Sequence, residues 1–241
     1  MAGHSKWANI KHRKSANDAK RGKLFGKLVK EITMAAKQGG NMPESNPRLR
    51  LAIQNAKSAN LPKDNIERAI KKGNSRDAAT YTEVTYEGHA TYGVAVVVEC
   101  MTDNPNRTVA DVRAIFTKYG GGLGKSNALA FLFDRKGVFT VKKESMTDEE
   151  ALTLAMIEAG AEAIEPEAGY FHITCPLETF GHVQQGLEAM QIAMDDAALQ
   201  YVPNTSVTLS GDAAAKVTKL IDALEDHEDV QRVFHNMTIS S

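Results

Sequence analysis

Residues 137–202 read GVFTVKKESMTDEEALTLAMIEAGAEAIEPEAGYFHITCPLETFGHVQQGLEAMQIAMDDAALQYV, and the changes of hydrophobic period along this stretch decide the fold. Gly137–Val141 reads as a strand. A helix begins near Asp148, with Ala151, Leu152, Ala155, Met156 and Ala159 at helical spacing, and Gly160 ends it. Short strands follow near Glu162–Glu165 and Tyr170–Thr174. A helix over Phe180–Gln191 and a strand over Leu199–Val202 complete the order βαββαβ.

That order is ferredoxin-like, and the sequence on either side frames it. Upstream, Thr82–Glu87 and Gly93–Met101 read as strands, and Thr108-x-x-Asp111 is expected to cap a helix with Val109, Val112, Ile115, Phe116 and Tyr119 on its apolar face. Ala128–Phe133 is expected as a strand, joined to Gly137 by a turn at Asp134-Arg135-Lys136. Downstream, Ala213–Leu224 reads as a helix and Val230–Ile239 as a strand. Two elements cannot close a core alone, so the tail is expected to join residues 81–134 in a second α/β sandwich. The 135–205 unit is then inserted into a discontinuous domain of residues 81–134 plus 206–241.

The N-terminal third has a different texture. Leu24, Phe25, Leu28, Val29, Ile32, Ala35 and Ala36 mark one face of a helix over Lys20–Lys37, while Lys20, Lys23, Lys27, Lys30 and Lys37 mark the other. Asn46-Pro47 opens a second helix, and Asp64-x-x-Glu67 is expected to open a third as a capping box. Residues 20–76 form a helical domain, preceded by a polar, basic arm over residues 1–19. The fold class is therefore α+β: a three-helix domain followed by two α/β sandwiches.

The 241 residues carry 29 Lys/Arg against 30 Asp/Glu, a net charge of −1 that conceals two opposite halves. Residues 1–76 hold 18 basic and 5 acidic residues (+13), and residues 77–241 hold 11 and 25 (−14). Such asymmetry points to a nucleic-acid or membrane-facing segment on an acidic body. The longest apolar run, Val94–Val98, is far short of the ~20 residues of a membrane span. Cys100 and Cys175 lie in strand-like runs and read as buried small hydrophobes of a reducing compartment. The charged start, with Lys6, Lys11, Arg13 and Lys14, is unlike a signal peptide, so a cytoplasmic location is expected.

No catalytic or zinc constellation is legible, so neither an enzyme nor a cofactor, metal or small-molecule substrate is expected. Gly120-Gly121-Gly122-Leu123-Gly124-Lys125-Ser126 invites a phosphate-loop reading. Tyr119 stands where that motif needs glycine, and the order helix, glycines, strand is reversed. A helix C-cap and turn is expected instead. The run Glu225-Asp226-His227-Glu228-Asp229 lacks the spacing of a calcium loop. It reads as a solvated helix end, although acid there opposes the helix dipole.

The basic arm carries the functional signal. Lys6, Lys11, His12, Arg13 and Lys14 suit phosphate, and Trp7 among them suits stacking on an unpaired base, as in single-strand recognition. A hydrophobic anchor onto the helical bundle is the other reading of Trp7, and both remain open. With Lys20, Arg21, Lys23, Lys27, Lys30, Arg48 and Arg50, these residues form the candidate nucleic-acid surface. The lysine helix offers little for bidentate reading of base edges, so low sequence specificity on duplex DNA is expected.

The strings AGHSKWANIKHRK, DAKRGKLFGKLVKEI, NPRLRLAIQNAK, LPKDNIERAIKKG, TDNPNRTVADVRAIFTKYGG and LIDALEDHEDVQRVFHN resemble the YebC/PmpR family, related to the mitochondrial translational activator of cytochrome c oxidase. The resemblance implies a three-domain cytoplasmic protein without enzyme activity or cofactor. Some members are described as DNA-binding transcriptional regulators and others are tied to translation on the ribosome. The expected partners are therefore ribosomal RNA and the ribosome or, alternatively, DNA. His89-Ala90-Thr91-Tyr92 and Lys125-Ser126-Asn127-Ala128 depart from the family's more glycine-rich loops.

Overall fold

A computed structural model describes residues 18–75, 80–145, 148–167 and 169–240, together with three helices, two four-stranded sheets and their covering helices. The basic arm, through residue 17, lies outside the described residues, as do the side chains of residues 18–20.

Helices α1 (Asp18–Gly39), α2 (Pro47–Ser58) and α3 (Lys63–Gly73) form the N-terminal bundle. Its core joins Ile32, Ala35 and Ala36 of α1 to Leu49, Ala52 and Ala56 of α2 and Ile66 and Ala69 of α3. The Asn46 side chain caps α2 by accepting from the Leu49 N–H, and its amide donates to the carbonyls of Ala35 and Gly40, so one side chain finishes α1 and starts α2. Gly73 lies against α1 so closely that a Cβ would stand 2.4 Å from the Thr33 carbonyl oxygen. The capping box expected at Asp64 does not form: Pro62 occupies the N-cap and makes no side-chain cap. Proline, with its fixed φ, sets the helix entry, and Asp64 falls inside the first turn.

The first sheet has the order β3-β1-β2-β9, from β1 (Thr82–His89), β2 (Ala95–Thr102), β3 (Gly122–Leu123) and β9 (Val230–His235), all antiparallel. Helix α4 (Pro105–Lys118) and the C-terminal helix Gly211–Glu225, here α7, cover one face, burying Val96, Val98, Cys100, Phe116, Leu220 and Leu224. The expected cap at Thr108 is corrected to Asn104, whose side chain accepts from the Arg107 N–H ahead of Pro105. Thr108 is instead fully buried. The glycine cluster does end α4, with Gly120 at φ 77°, but Gly122–Leu123 then adds an edge strand to β1. Gly121 passes so close to β1 that a Cβ would stand 2.5 Å from the His89 carbonyl oxygen.

The second sheet has the order β5-β6-β4-β7, built from β4 (Phe133–Lys142), β5 (Ala163–Glu167), β6 (Tyr170–Cys175) and β7 (Met194–Pro203). With α5 (Glu149–Glu158) after β4 and α6 (Phe180–Ala189) after β6, this is the antiparallel ferredoxin-like arrangement. The turn expected at Asp134-Arg135-Lys136 is strand, because β7 pairs with β4 along its length, from Phe133 opposite Pro203 to Val141 opposite Met194. Its charges are paired across the fold: Arg135 reaches Glu99 at 3.0 Å and lies 4.7 Å over the Tyr201 ring, and Lys136 reaches Glu162 at 2.7 Å. Residues 130–132 form a 3₁₀ turn in place of the expected strand.

The expected tail strand is two strands. At Asn236 the chain leaves β9, and Met237–Ile239 (β10) pairs in parallel with Val207–Leu209 (β8). The Asn236 side chain accepts from the Ala95 N–H at 2.8 Å while its carbonyl accepts from Val207 at 2.7 Å, so this residue stitches both sheets of the first unit. The two large sheets meet through Val97, Leu129, Phe133 and Phe234, with Tyr201 packed against them.

Candidate nucleic-acid interface

The lysine face of α1 forms as the spacing predicts, but it is turned inward. Lys23, Lys27 and Lys30 lie one turn apart, and all three reach the C-terminal end of α7 and the residues just beyond it. Lys23 pairs with the Asp226 carboxylate at 3.3 Å, and Lys27 donates to the Glu225 carbonyl at 2.6 Å. Lys30 donates to the Glu228 carbonyl at 3.0 Å and to Asp229 Oδ1 at 2.9 Å. The run 225–229 is therefore not the solvated helix end expected from sequence. Cations from a helix nearly 200 residues away in the chain sit at the negative pole of α7, which compensates both its dipole and its acidic side chains.

Asp229 is the buried centre of this contact. Its second oxygen accepts from Arg107 at 3.0 Å, Thr108 at 2.9 Å and Thr102 at 3.1 Å. Burial opposes the charge of this carboxylate, but donation from Lys30, Arg107 and Thr108 outweighs it and holds the carboxyl well below the usual range. Tyr81 adds its ring, 5.5 Å from the Lys30 ammonium.

Arg48 and Arg50 are also occupied. Arg48 forms a fork on Glu31, at 2.8 and 3.2 Å, and pairs with Glu83 of β1. Burial lowers its affinity for a proton, but the two carboxylates more than compensate and its pKa is raised. Arg50 donates to the Pro43 carbonyl at 3.2 Å. Arg21 is exposed at the start of α1, with its guanidinium 5.8 Å over the Phe25 ring. Lys20 lies in the same helix, and Lys6, Trp7, Lys11, His12, Arg13 and Lys14 fall outside the described residues.

Other basic side chains face outward. Arg68, Lys71 and Lys72 of α3 are exposed on the side opposite the buried Ile66, Ala69 and Gly73. Among the described residues, Lys57, Lys71 and Lys72 have no carboxylate within ion-pair distance, whereas Lys63 pairs with Glu67 at 3.6 Å. The signal for this face was present in the sequence. Lys71-Lys72 directly follow the apolar positions Ile66, Ala69 and Ile70 of α3.

The bundle docks on the inserted unit through α2. Asn55 donates to the Ala197 carbonyl at 2.9 Å and accepts from the Ala197 N–H at 3.1 Å, and Ser58 donates to Met194 at 2.7 Å. These bonds complete the outer edge of β7, which would otherwise expose its backbone. Where the bundle and the two sheets meet lies a cleft of about 1480 Å³. Three of its arginines are answered from within: Arg48 by Glu31 and Glu83, Arg135 by Glu99, and Arg232 by Asp196 at 3.5 Å. On the second sheet's open face, Thr140 Oγ1 is 3.2 Å from His172 Nδ1, and burial pushes the His172 pKa down to about 4 against the pull of Glu165. Among the described residues no group of three or more His, Cys, Asp or Glu is placed to hold a metal ion, and no helix is long and apolar enough to cross a membrane.

Two family models match almost end to end: the TACO1/YebC N-terminal domain over residues 5–76 and the TACO1/YebC second and third domain over residues 81–237. The chain belongs to the TACO1/YebC family. A TACO1/YebC relative from Amoebophilus asiaticus, named probable transcriptional regulatory protein, is 62% identical over 239 residues, covering 98% of each chain. A relative of the same name from Geobacillus kaustophilus is 52% identical over 239 residues, covering 98% of this chain and 97% of its own. The fold is also that of a crystal structure of a conserved hypothetical protein from Aquifex aeolicus, with a TM-score of 0.88, 45% identity and 98% coverage of both chains.

Proposed function

We propose that this TACO1/YebC protein is a cytoplasmic, nucleic-acid-binding regulator of gene expression that acts without a catalytic step. Its most concrete form is a ribosome-associated translation factor contacting ribosomal RNA through the arm and the bundle. The observation that carries this reading is the state of the arginines. Arg48 and Arg50, two of the three bundle arginines of the candidate surface suited to bidentate reading of guanine, are engaged within the protein, while Arg21 stays exposed beside Phe25. The outward cations of α3 and those of the arm suit phosphate and shape, and Trp7 suits stacking on an unpaired base. The groups with the most displaced pKa values, Arg48, Cys100, His172 and Asp229, are buried or held in contacts within the fold, which supports a binding rather than a catalytic role. A second reading, a DNA-binding transcriptional regulator, is favoured by the name its relatives carry.

Ultraviolet cross-linking in lysate, with sequencing of the attached nucleic acid, separates the two alongside sedimentation through a sucrose gradient. Co-sedimentation with ribosomes and cross-links to ribosomal RNA are expected. Cross-links confined to a few promoter sequences, with the protein at the top of the gradient, would overturn the translation reading. In purified form, Lys71→Glu with Lys72→Glu is expected to weaken binding and reduce the magnitude of the log-affinity against log-salt slope by roughly 1.4–1.8, two phosphate contacts' worth. An unchanged slope removes α3 from the surface.

A further inference from the structure

The nucleic-acid reading above leaves the lysine face of α1 without an external partner, because the chain already supplies one. We propose that residues 225–229 act as an internal phosphate mimic, occupying Lys23, Lys27 and Lys30 so that α1 becomes part of the nucleic-acid surface only when a polyanion displaces the acidic run. This rests on the reading that the arm and bundle bind nucleic acid.

The geometry is that of an anionic strand laid along a basic helix. Lys23 and Lys30 are seven residues apart on α1 with Lys27 between them, a rise of about 10 Å. Opposite them is a row of oxygens: Asp226 Oδ1, the Glu225 carbonyl, the Glu228 carbonyl and Asp229 Oδ1. The first of these carbonyls belongs to the open C-terminal end of α7, which is itself negative. A phosphodiester backbone offers the same chemistry, charged oxygens in series.

The contact is also graded in a way that permits exchange. The outer pair, Lys23 and Asp226, is about half exposed on both sides, 48% and 53%. The inner pair, Lys30 and Asp229, is 20% and 3% exposed. Salt and competing anions weaken the exposed end first. Lysine side chains are long and carry a compact charge, so exchange requires a change of partner by the side chains and leaves the Asn55 bonds to Ala197 intact. In sequence the arm lies directly before Lys20 and Lys23, on the side of α1 that carries the exposed end of the contact.

The test uses the full chain and a fluorescein-labelled 20-nucleotide oligouridine, with anisotropy titrations across a range of salt. Asp226→Asn with Asp229→Asn is expected to tighten binding about fivefold or more near 0.1 M salt. The slope should steepen by up to about 2, the contribution of three lysines on a single strand. Lys23→Gln, Lys27→Gln and Lys30→Gln together should abolish that gain, and should cost the otherwise unaltered chain less affinity than they cost the released one. If the double variant does not fold, Asp226→Asn alone decides, with a slope steeper by about 0.7 that Lys23→Gln removes. A gain that persists in the triple-glutamine background reflects net charge alone and overturns the proposal. So does equal binding by the unaltered and released chains, which leaves the arm reading standing. A loss of affinity from the three glutamines as large in the unaltered chain as in the released one shows that the acidic run does not compete for the lysines, and also overturns it. If no form of the chain binds, the nucleic-acid reading falls and the proposal falls with it.

Discussion

Asn55 offers the sharpest test of how the bundle is held. Its side-chain amide meets both backbone groups of Ala197 in β7, donating at 2.9 Å and accepting at 3.1 Å, and Ala197 is fully buried. In Asn55→Ala the Ala197 N–H and C=O both lose their partner at once. Each net hydrogen bond is worth roughly 0.5–1.5 kcal/mol, and each buried group left unpaired costs roughly 1–3 kcal/mol. Full burial of both orphans would cost up to about 6 kcal/mol, but the bundle can lift from β7 and let water in, which caps the loss. The nearby Ser58 bond to Met194, at 2.7 Å, resists that lifting. We therefore expect a loss of about 2–3 kcal/mol. Urea unfolding followed by far-ultraviolet circular dichroism measures it, and limited proteolysis of the native protein should show earlier cleavage at the junction between bundle and sheets. A loss below about 0.5 kcal/mol with unchanged proteolysis would refute the view that this amide clamps the bundle to the strand edge.

Two pH-dependent effects follow, from a base and an acid whose pKa values are both lowered, so both cost stability as pH falls. Burial lowers the His172 pKa to about 4 from an ordinary 6.5, so between those values the unfolded chain binds the extra proton and stability rises with pH. The expected loss on acidification through this window is on the order of 3 kcal/mol, and His172→Gln should flatten it in melting experiments run from pH 7 to pH 4; identical profiles for the two proteins would sink the argument. The Asp229 carboxyl is depressed, so its stabilisation is present above the ordinary carboxylate value near ~4 and is lost as pH falls below it. Asp229→Asn turns amide hydrogens or an uncharged oxygen toward Lys30, Arg107, Thr102 and Thr108. It should cost about 3 kcal/mol at pH 7, with the gap from the unaltered chain narrowing below about pH 4. A gap that stays constant down to pH 2 would show that the charge is not the source.

Local signals were readable in proportion to how much local chemistry decided them. The Asn46-Pro47 start of α2 is fixed within a few residues, by a side-chain cap and a proline, and it stands where the pattern placed it. The same pair of residue types at Asn104-Pro105 starts α4, yet Thr108-x-x-Asp111 competed for the reading, and only tertiary structure shows Thr108 turned inward onto Asp229. The strand over Asp134–Lys136 was hidden because its polarity resembles a turn. Its charges are tolerated there because Glu99 and Glu162 come from other strands or the loop beside them. Likewise, Asp195-Asp196 masked the first half of β7, where Asp196 meets Arg232 of β9. Each miss is a polar residue satisfied by a partner distant in sequence, which hydrophobic periodicity cannot report.

The same reasoning changes what the charge asymmetry means. A +13 segment joined to a −14 remainder points to an anionic partner, and two anions satisfy that description equally: a nucleic acid or the chain's own acidic half. The structure pairs one part of the basic set with the acidic half and leaves another facing solvent. Lys23, Lys27, Lys30 and Arg48 face Asp226, Asp229, Glu83 and the carbonyl end of α7. Arg68, Lys71 and Lys72 face away from the core. Internal pairing also resolves the acid at the end of α7, which as an isolated helix would be destabilised by its own dipole. Once Lys27 and Lys30 are counted as its partners, those acids become the receiving half of a domain contact. A basic stripe on a helix is thus evidence for an external phosphate only after the acidic segments of the same chain have been tested as its partner, and in this protein the stripe of α1 meets that internal partner before any other.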